Sequence, residues 1–123
     1  MASEMGFAPV NFDADGIRQS RKLAKKVLEM FSGYDVYFRK SSSGRGYHFI
    51  VADGNRTLYL PKKMVLNLRK ACGDCFGRLR VDGQRIADGG QISILFNWKN
   101  GRSAGKWKKL RRISQIKQCR TKV

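Results

Sequence analysis

The chain has 123 residues and a formal charge of +17, from 26 Lys and Arg against 9 Asp and Glu. That length holds one domain and leaves no room for a second module, while the charge points to a polyanionic partner, nucleic acid first and an anionic membrane surface second. No apolar stretch approaches the ~20 residues that span a bilayer, Met1-Ala2-Ser3-Glu4 lacks the basic-then-apolar pattern of a secretion signal, and three cysteines are too few for a disulfide framework. The expectation is a cytoplasmic (intracellular) protein that does not enter a membrane.

The first predicted strand runs from about Phe7 to Phe12 and on through Asp13-Ala14-Asp15 to Gly16. Residues two apart in a strand share a face, so Asp13 and Asp15 present their carboxylates together. Two such carboxylates repel unless a cation lies between them, which is how a hard ion such as Mg²⁺ or Mn²⁺ is commonly held against substrate phosphates. Asp-x-Asp also fits a turn whose side chains bond local amides. The scarcity of acids favours the first reading, because two of nine share one strand end.

A helical pattern follows Gly16. Ile17, Ala24, Val27, Leu28 and Phe31 fall on one face, flanked by Leu23 and Met30. Arg18, Arg21, Lys22, Lys25 and Lys26 form a solvated face, and Ser32-Gly33 ends the helix. Val36-Tyr37-Phe38 and Tyr47 to Val51 then read as two strands of a hairpin, with the chain's single histidine, His48, at the start of the second. Between them lies Arg39-Lys40-Ser41-Ser42-Ser43-Gly44-Arg45-Gly46. Glycine permits positive φ and has no Cβ, so such a loop can bring backbone N–H groups close to a phosphate. By itself the loop also fits an ordinary hairpin with a solvated basic tip.

Thr57 to Leu60 is a short strand candidate, and Pro61 suits the first turn of a helix whose stripe is Met64, Val65, Leu68 and Ala71. Cys72-Gly73 closes it. Cys72-Gly73-Asp74-Cys75 has zinc-knuckle spacing, but there is no second Cys-x-x-Cys and Cys119 lies in a basic run, so free thiols are expected and structural zinc is not. Gly77 to Asp82 alternates Arg78, Arg80 and Asp82 with Leu79 and Val81, as a half-buried strand would. Gln91 to Trp98 reads as a deep strand, turning at Asn97 to Gly101.

From Gly101 onward, Arg102, Lys106, Lys108, Lys109, Arg111, Arg112, Lys117, Arg120 and Lys122 occur with no acid among them. Such a run binds phosphates without reading sequence, with an affinity that falls steeply with salt. Trp107 in its midst can stack on a base or pack on the sheet, and a disordered end is expected for the last ten or so residues. The resulting expectation is an α+β domain over residues 1–105 with a basic C-terminal tail at 106–123. A small, mainly antiparallel sheet would carry about two helices on one face. Its other face would bear Asp13, Asp15, His48 and Asp82, so it is either wet or a site.

The order of these elements resembles the archaeo-eukaryotic primase superfamily over residues about 7 to 100. Phe12-Asp13-Ala14-Asp15 looks like its first motif and Ser43-Gly44-Arg45-Gly46-Tyr47-His48 matches its second at every defining position. For the third motif, an apolar residue before a carboxylate, Val81-Asp82 is the candidate; Phe96-Asn97 occupies a competing place with an amide. The resemblance implies an RRM-like primase palm. Its catalytic residues would be Asp13, Asp15, His48 and Asp82, with two Mg²⁺ or Mn²⁺ ions on Asp13, Asp15 and Asp82.

It further implies nucleoside triphosphate substrates whose phosphates meet Ser43, Gly44, Arg45, Gly46, His48 and Lys40. A single-stranded DNA or RNA template would meet Arg78, Arg80, Arg85, Lys106, Trp107, Lys108, Lys109, Arg111 and Arg112. Helicase or second-primase-subunit partners are consistent with it, as is a viral or plasmid source. The function implied is a DNA primase or primase-polymerase-like nucleotidyltransferase. The alternative is a non-catalytic or accessory domain that binds nucleic acid through its basic surface, and a third reading is a structural basic protein that orders only on RNA.

Overall fold

Apolar residues alternate with polar ones from Asn11 to Asp15 and again through the hairpin, and this alternation builds the central sheet. In the computed structural model, residues 6–95, 98–99 and 102–117 are described. The strands are β1 (Phe7–Pro9), β2 (Asn11–Asp15), β3 (Asp35–Lys40), β4 (Gly46–Asp53), β5 (Arg56–Thr57), β6 (Tyr59–Pro61), β7 (Trp98–Lys99), β8 (Arg102–Ser103) and β9 (Lys108–Lys109). The central sheet is antiparallel in the order β2-β4-β3-β9, with β5 added to β4. β1 pairs with β6, and β7 with β8, as separate two-stranded ribbons.

One face of the sheet is the core. Phe12, Phe49 and Phe38 stand in register across β2, β4 and β3 and are all buried. Helix α1 (Ile17–Met30) lays Leu23, Ala24 and Val27 against them, while its Arg and Lys residues face water as the periodicity requires. Helix α2 (Lys62–Cys72) adds Val65 and Cys72 to the same cluster. It stops at Gly73, whose left-handed conformation (φ 86°) lets its N–H donate to the carbonyls of Arg69 and Lys70. The fold is therefore a small α+β domain, as expected from the sequence.

Four local expectations change. The single strand expected from about Phe7 through Asp15 is broken at Val10 into β1 and β2, which pair with β6 and β4 respectively. Residues 77–82, predicted as a strand, lie within helix α3 (Phe76–Ala87). The helix turns Leu79, Asp82, Gly83 and Ile86 inward, a helical spacing that the alternation reading misses because its innermost member is a carboxylate. Residues 91–95 form no strand, although Ile92 enters the core; Asn97 lies outside the described residues. Residues 106–117, set apart in sequence as the start of a basic tail, are built into the domain. β9 pairs with β3, and Leu110 and Ile116 are buried in the core.

Candidate functional site

The non-core face of the sheet carries one rung of functional groups across three strands. Asp13 on β2 is in register with His48 on β4, which is in register with Arg39 on β3. Asp15 lies two residues along the same face, opposite Gly46. The two sequence motifs thus meet on adjacent strands. His48 is buried, and the side chain of Asp13 is 31% exposed.

Hydrogen bonding fixes the state of the imidazole. Arg39 Nε donates to His48 Nδ1 at 3.1 Å. The nitrogen that accepts cannot also carry a proton, so the proton sits on Nε2. Burial, then the charges of Arg39 and Arg78, push His48 down to about 4, so the ring is neutral at pH 7. Its Nε2 lies 3.7 Å from Asp13 Oδ1, too far for a hydrogen bond. That N–H points toward the acidic end of the rung.

Asp13 is displaced the other way. Burial raises it to about 6; Arg78 opposes the shift, and Asp74 and Asp15 add to it. Among the described residues no hydrogen bond reaches its carboxylate; its backbone, by contrast, is tied at both ends. The Asp13 N–H donates to Asp74 Oδ1 at 2.5 Å, and its carbonyl accepts from the Cys75 N–H at 3.0 Å. The connection between α2 and α3 therefore covers the outer edge of β2 at this point.

The glycine loop has a firm local architecture. Gly44 adopts a left-handed conformation (φ 76°) in the turn. Gly46 packs so closely on the Ala14 carbonyl that no Cβ fits there, which ties the second motif to the strand of the first. The amides of Gly44, Arg45 and Gly46 donate to the Ser41 carbonyl, Ser43 Oγ and Ser41 Oγ respectively. Ser43 and Arg45 are exposed at the tip.

Asp82, expected beside Asp13 and Asp15, is elsewhere. It is buried on α3, where its Oδ2 accepts from Arg69 Nη1 at 2.7 Å and from the Ser93 N–H at 2.9 Å. The fully buried Arg69 also donates from Nε to Asp74 Oδ2 at 2.6 Å, and Asp74 is shared with Arg78 Nη1 at 3.0 Å. Arg78 reaches on to Asn11 Oδ1, and Asn11 Nδ2 donates to the Ser93 carbonyl. Ser93 is the one described non-glycine residue with positive φ, at 62°, and this network holds it there.

Sequence reasoning missed Arg69, Asp74, Asn11 and Ser93 as a unit. The available signal is Asp74 inside Cys72-x-x-Cys75, where the cysteine spacing draws attention to the thiols instead. Of the arginines assigned to nucleic acid, Arg78 is committed to this network. Arg85 leans on Asp82 at 3.4 Å, and Arg80 is exposed.

Trp107 sits over Arg39, with the guanidinium carbon 4.4 Å from the ring centroid, and remains 38% exposed. Beside it is a cavity of about 300 Å³ lined by Trp107, Tyr37, Ile50, Ala52, Gly54, Asn55 and Thr57. Of the remaining cations, Lys109 pairs with Asp35 at 3.0 Å, whereas Lys106, Lys108, Arg111 and Arg112 are exposed.

The donor chemistry of Asp13 and Asp15 fits one hard divalent cation. Both are oxygen ligands on one face, and among the described residues no hydrogen-bond donor reaches the Asp13 carboxylate, with Arg78 offsetting its burial only in part. The three-carboxylate set expected for two ions does not assemble, since Asp82 is bound to Arg69. Among the described residues no group of three His, Cys, Asp or Glu side chains is placed to hold a metal ion, and no helix is long and apolar enough to cross a membrane. No protein-family model, curated protein or solved structure was found to match the chain.

Proposed function

We propose that this chain is a primase-like nucleotidyltransferase that adds nucleotides on a single-stranded nucleic-acid template. The observation that carries the reading is the rung itself: Asp13 and Asp15 share a face and a strand boundary with His48 and the Ser-Gly-x-Gly turn. Asp13 and Asp15 would hold Mg²⁺ or Mn²⁺ together with the nucleoside triphosphate. The bound ion would neutralise charge on the phosphates and lower the pKa of the attacking hydroxyl.

His48, neutral and protonated on Nε2, donates a hydrogen bond to a phosphate oxygen, and Arg39 keeps it in that tautomer. Ser43 and Arg45 at the exposed tip meet the outer phosphates. The aromatic-walled cavity next to the rung has the character of a stacking platform for the base. The nine acids against 26 bases support an anionic partner.

A second reading, a non-catalytic primase-like domain that binds nucleotide or nucleic acid, is favoured by one observation: Asp82 supplies no third carboxylate. Incorporation of labelled nucleoside triphosphates on single-stranded DNA with Mg²⁺ or Mn²⁺ separates the two. The enzyme reading predicts product from wild type and none from Asp13→Ala/Asp15→Ala. Absence of product from wild type, with nucleic-acid binding intact in both proteins, would leave the binding domain.

A further inference from the structure

Along β3 and β4, Phe38, Lys40 and Tyr47 alternate with Arg39 and His48, so they point to the opposite side of the sheet from the acidic rung. On that opposite side lies a larger cavity, of about 780 Å³, between the β3–β9 edge and a 3₁₀ turn at Ile113–Gln115. Five exposed cations, Lys40, Lys106, Lys108, Arg112 and Lys117, line it, as does Arg39 of the rung, and no acid does. Among the described residues no carboxylate pairs with any of these five. Like charges gathered around one concavity repel unless an anion enters it.

The walls are built. The Gly105 N–H donates to the Lys40 carbonyl at 2.9 Å, and Tyr47 Oη donates to the Lys117 carbonyl at 2.5 Å. Gln115 Nε2 donates to the Lys109 carbonyl at 3.1 Å, while its Oε1 accepts from the Arg112 N–H at 3.0 Å. Leu110 and Ile116 anchor the segment in the core on either side of the turn. The backbone that carries the cations is thus held in place, so binding has only their side chains to order.

We infer that this cavity is a phosphate-binding site for the backbone of a single-stranded nucleic acid, meeting the Asp13–His48 rung at Arg39. Its volume takes more than one phosphate, and its cations are spread along the β3–β9 edge rather than focused on one point. Lys40, which its place in sequence assigns to the glycine loop, belongs to this site instead. The inference rests on the nucleic-acid part of the proposed function and not on catalysis.

The test is binding of a fluorescein-labelled oligothymidylate to the full chain, read as anisotropy between about 50 and 200 mM salt. Two variants of equal net charge are compared: Lys40→Gln/Lys108→Gln/Arg112→Gln in the cavity, and Arg18→Gln/Lys22→Gln/Lys25→Gln on the exposed face of α1. All six positions are exposed, and melting curves check that both variants fold.

The cavity variant is expected to bind at least about tenfold more weakly, with a salt slope lower by about 2, near 0.7 for each lost phosphate contact. The helix variant should follow wild type. Equal losses in both variants, or none in either, would overturn the assignment while leaving nucleic-acid binding in place. If wild type binds vesicles containing an anionic phospholipid but no oligonucleotide, both this site and the nucleic-acid reading fail.

Discussion

Two acidic clusters lie on either side of the Asp13 backbone, and they differ in how their charge is met. On one side Asp74 and Asp82 are buried, and each meets guanidinium or amide donors within hydrogen-bond reach. On the other, Asp13 is partly buried, with no hydrogen bond to its carboxylate among the described residues and a pKa raised to about 6. A neutralised carboxylate holds the fold. A carboxylate kept ionised with no hydrogen-bond donor, and only partly offset by a nearby guanidinium, destabilises the fold and remains available to a cation.

Breaking the buried cluster should have the largest effect. Arg69→Ala leaves Asp74 and Asp82 buried without their common partner, and stability should fall by about 3–5 kcal/mol. Asp82→Ala should act in the same direction by stranding Arg69, with urea unfolding as the measurement. A metal-ligand role for Asp82 predicts the opposite pattern, lost activity with the fold intact.

Asp13→Asn should sharpen the contrast by stabilising the protein. At pH 7 the ionised carboxylate destabilises the folded state; after allowance for solvent screening, removing it should gain about 1–2 kcal/mol. The pH dependence gives the sign. The folded pKa of Asp13, about 6, exceeds the unfolded value near 3.8. Its favourable contribution is therefore present below about 3.8 and lost as pH rises through 6.

His48 runs the other way. Its folded value of about 4 lies below the unfolded 6.5, so its contribution is present above 6.5 and lost as pH falls through 4. In wild type the two slopes oppose each other. The stability difference between Asp13→Asn and wild type should be near zero at pH 4 and grow to its full value by pH 7. A difference independent of pH would mean that Asp13 is not held ionised against burial.

The parts of this arrangement that depend on local pattern were legible in the sequence. The stripe of α1, the hairpin around Gly44 and the shared face of Asp13 and Asp15 follow from spacing and turn chemistry alone. The parts that depend on distant pairing were not. Arg69 is one of 26 basic residues, and nothing local marks it as the one that Asp74 and Asp82 converge on. Once Asp82 is buried, the inward face of α3 contains a charge, and a reading that keeps charges outside turns the helix into a strand. The same rule set residues 106–117 apart as a tail, because Leu110 and Ile116 are isolated apolar positions among cations.

The central claim is that Asp13 and Asp15 form a cation site beside His48, and paramagnetic broadening by substoichiometric Mn²⁺ tests it most directly. In amide NMR spectra, the signals of Asp13 to Asp15 and of Gly46 to His48 should broaden first, and this selectivity should disappear in Asp13→Asn/Asp15→Asn. Broadening that instead follows the exposed carboxylates of Asp53 and Asp88, or that is unchanged in the double variant, would contradict the account.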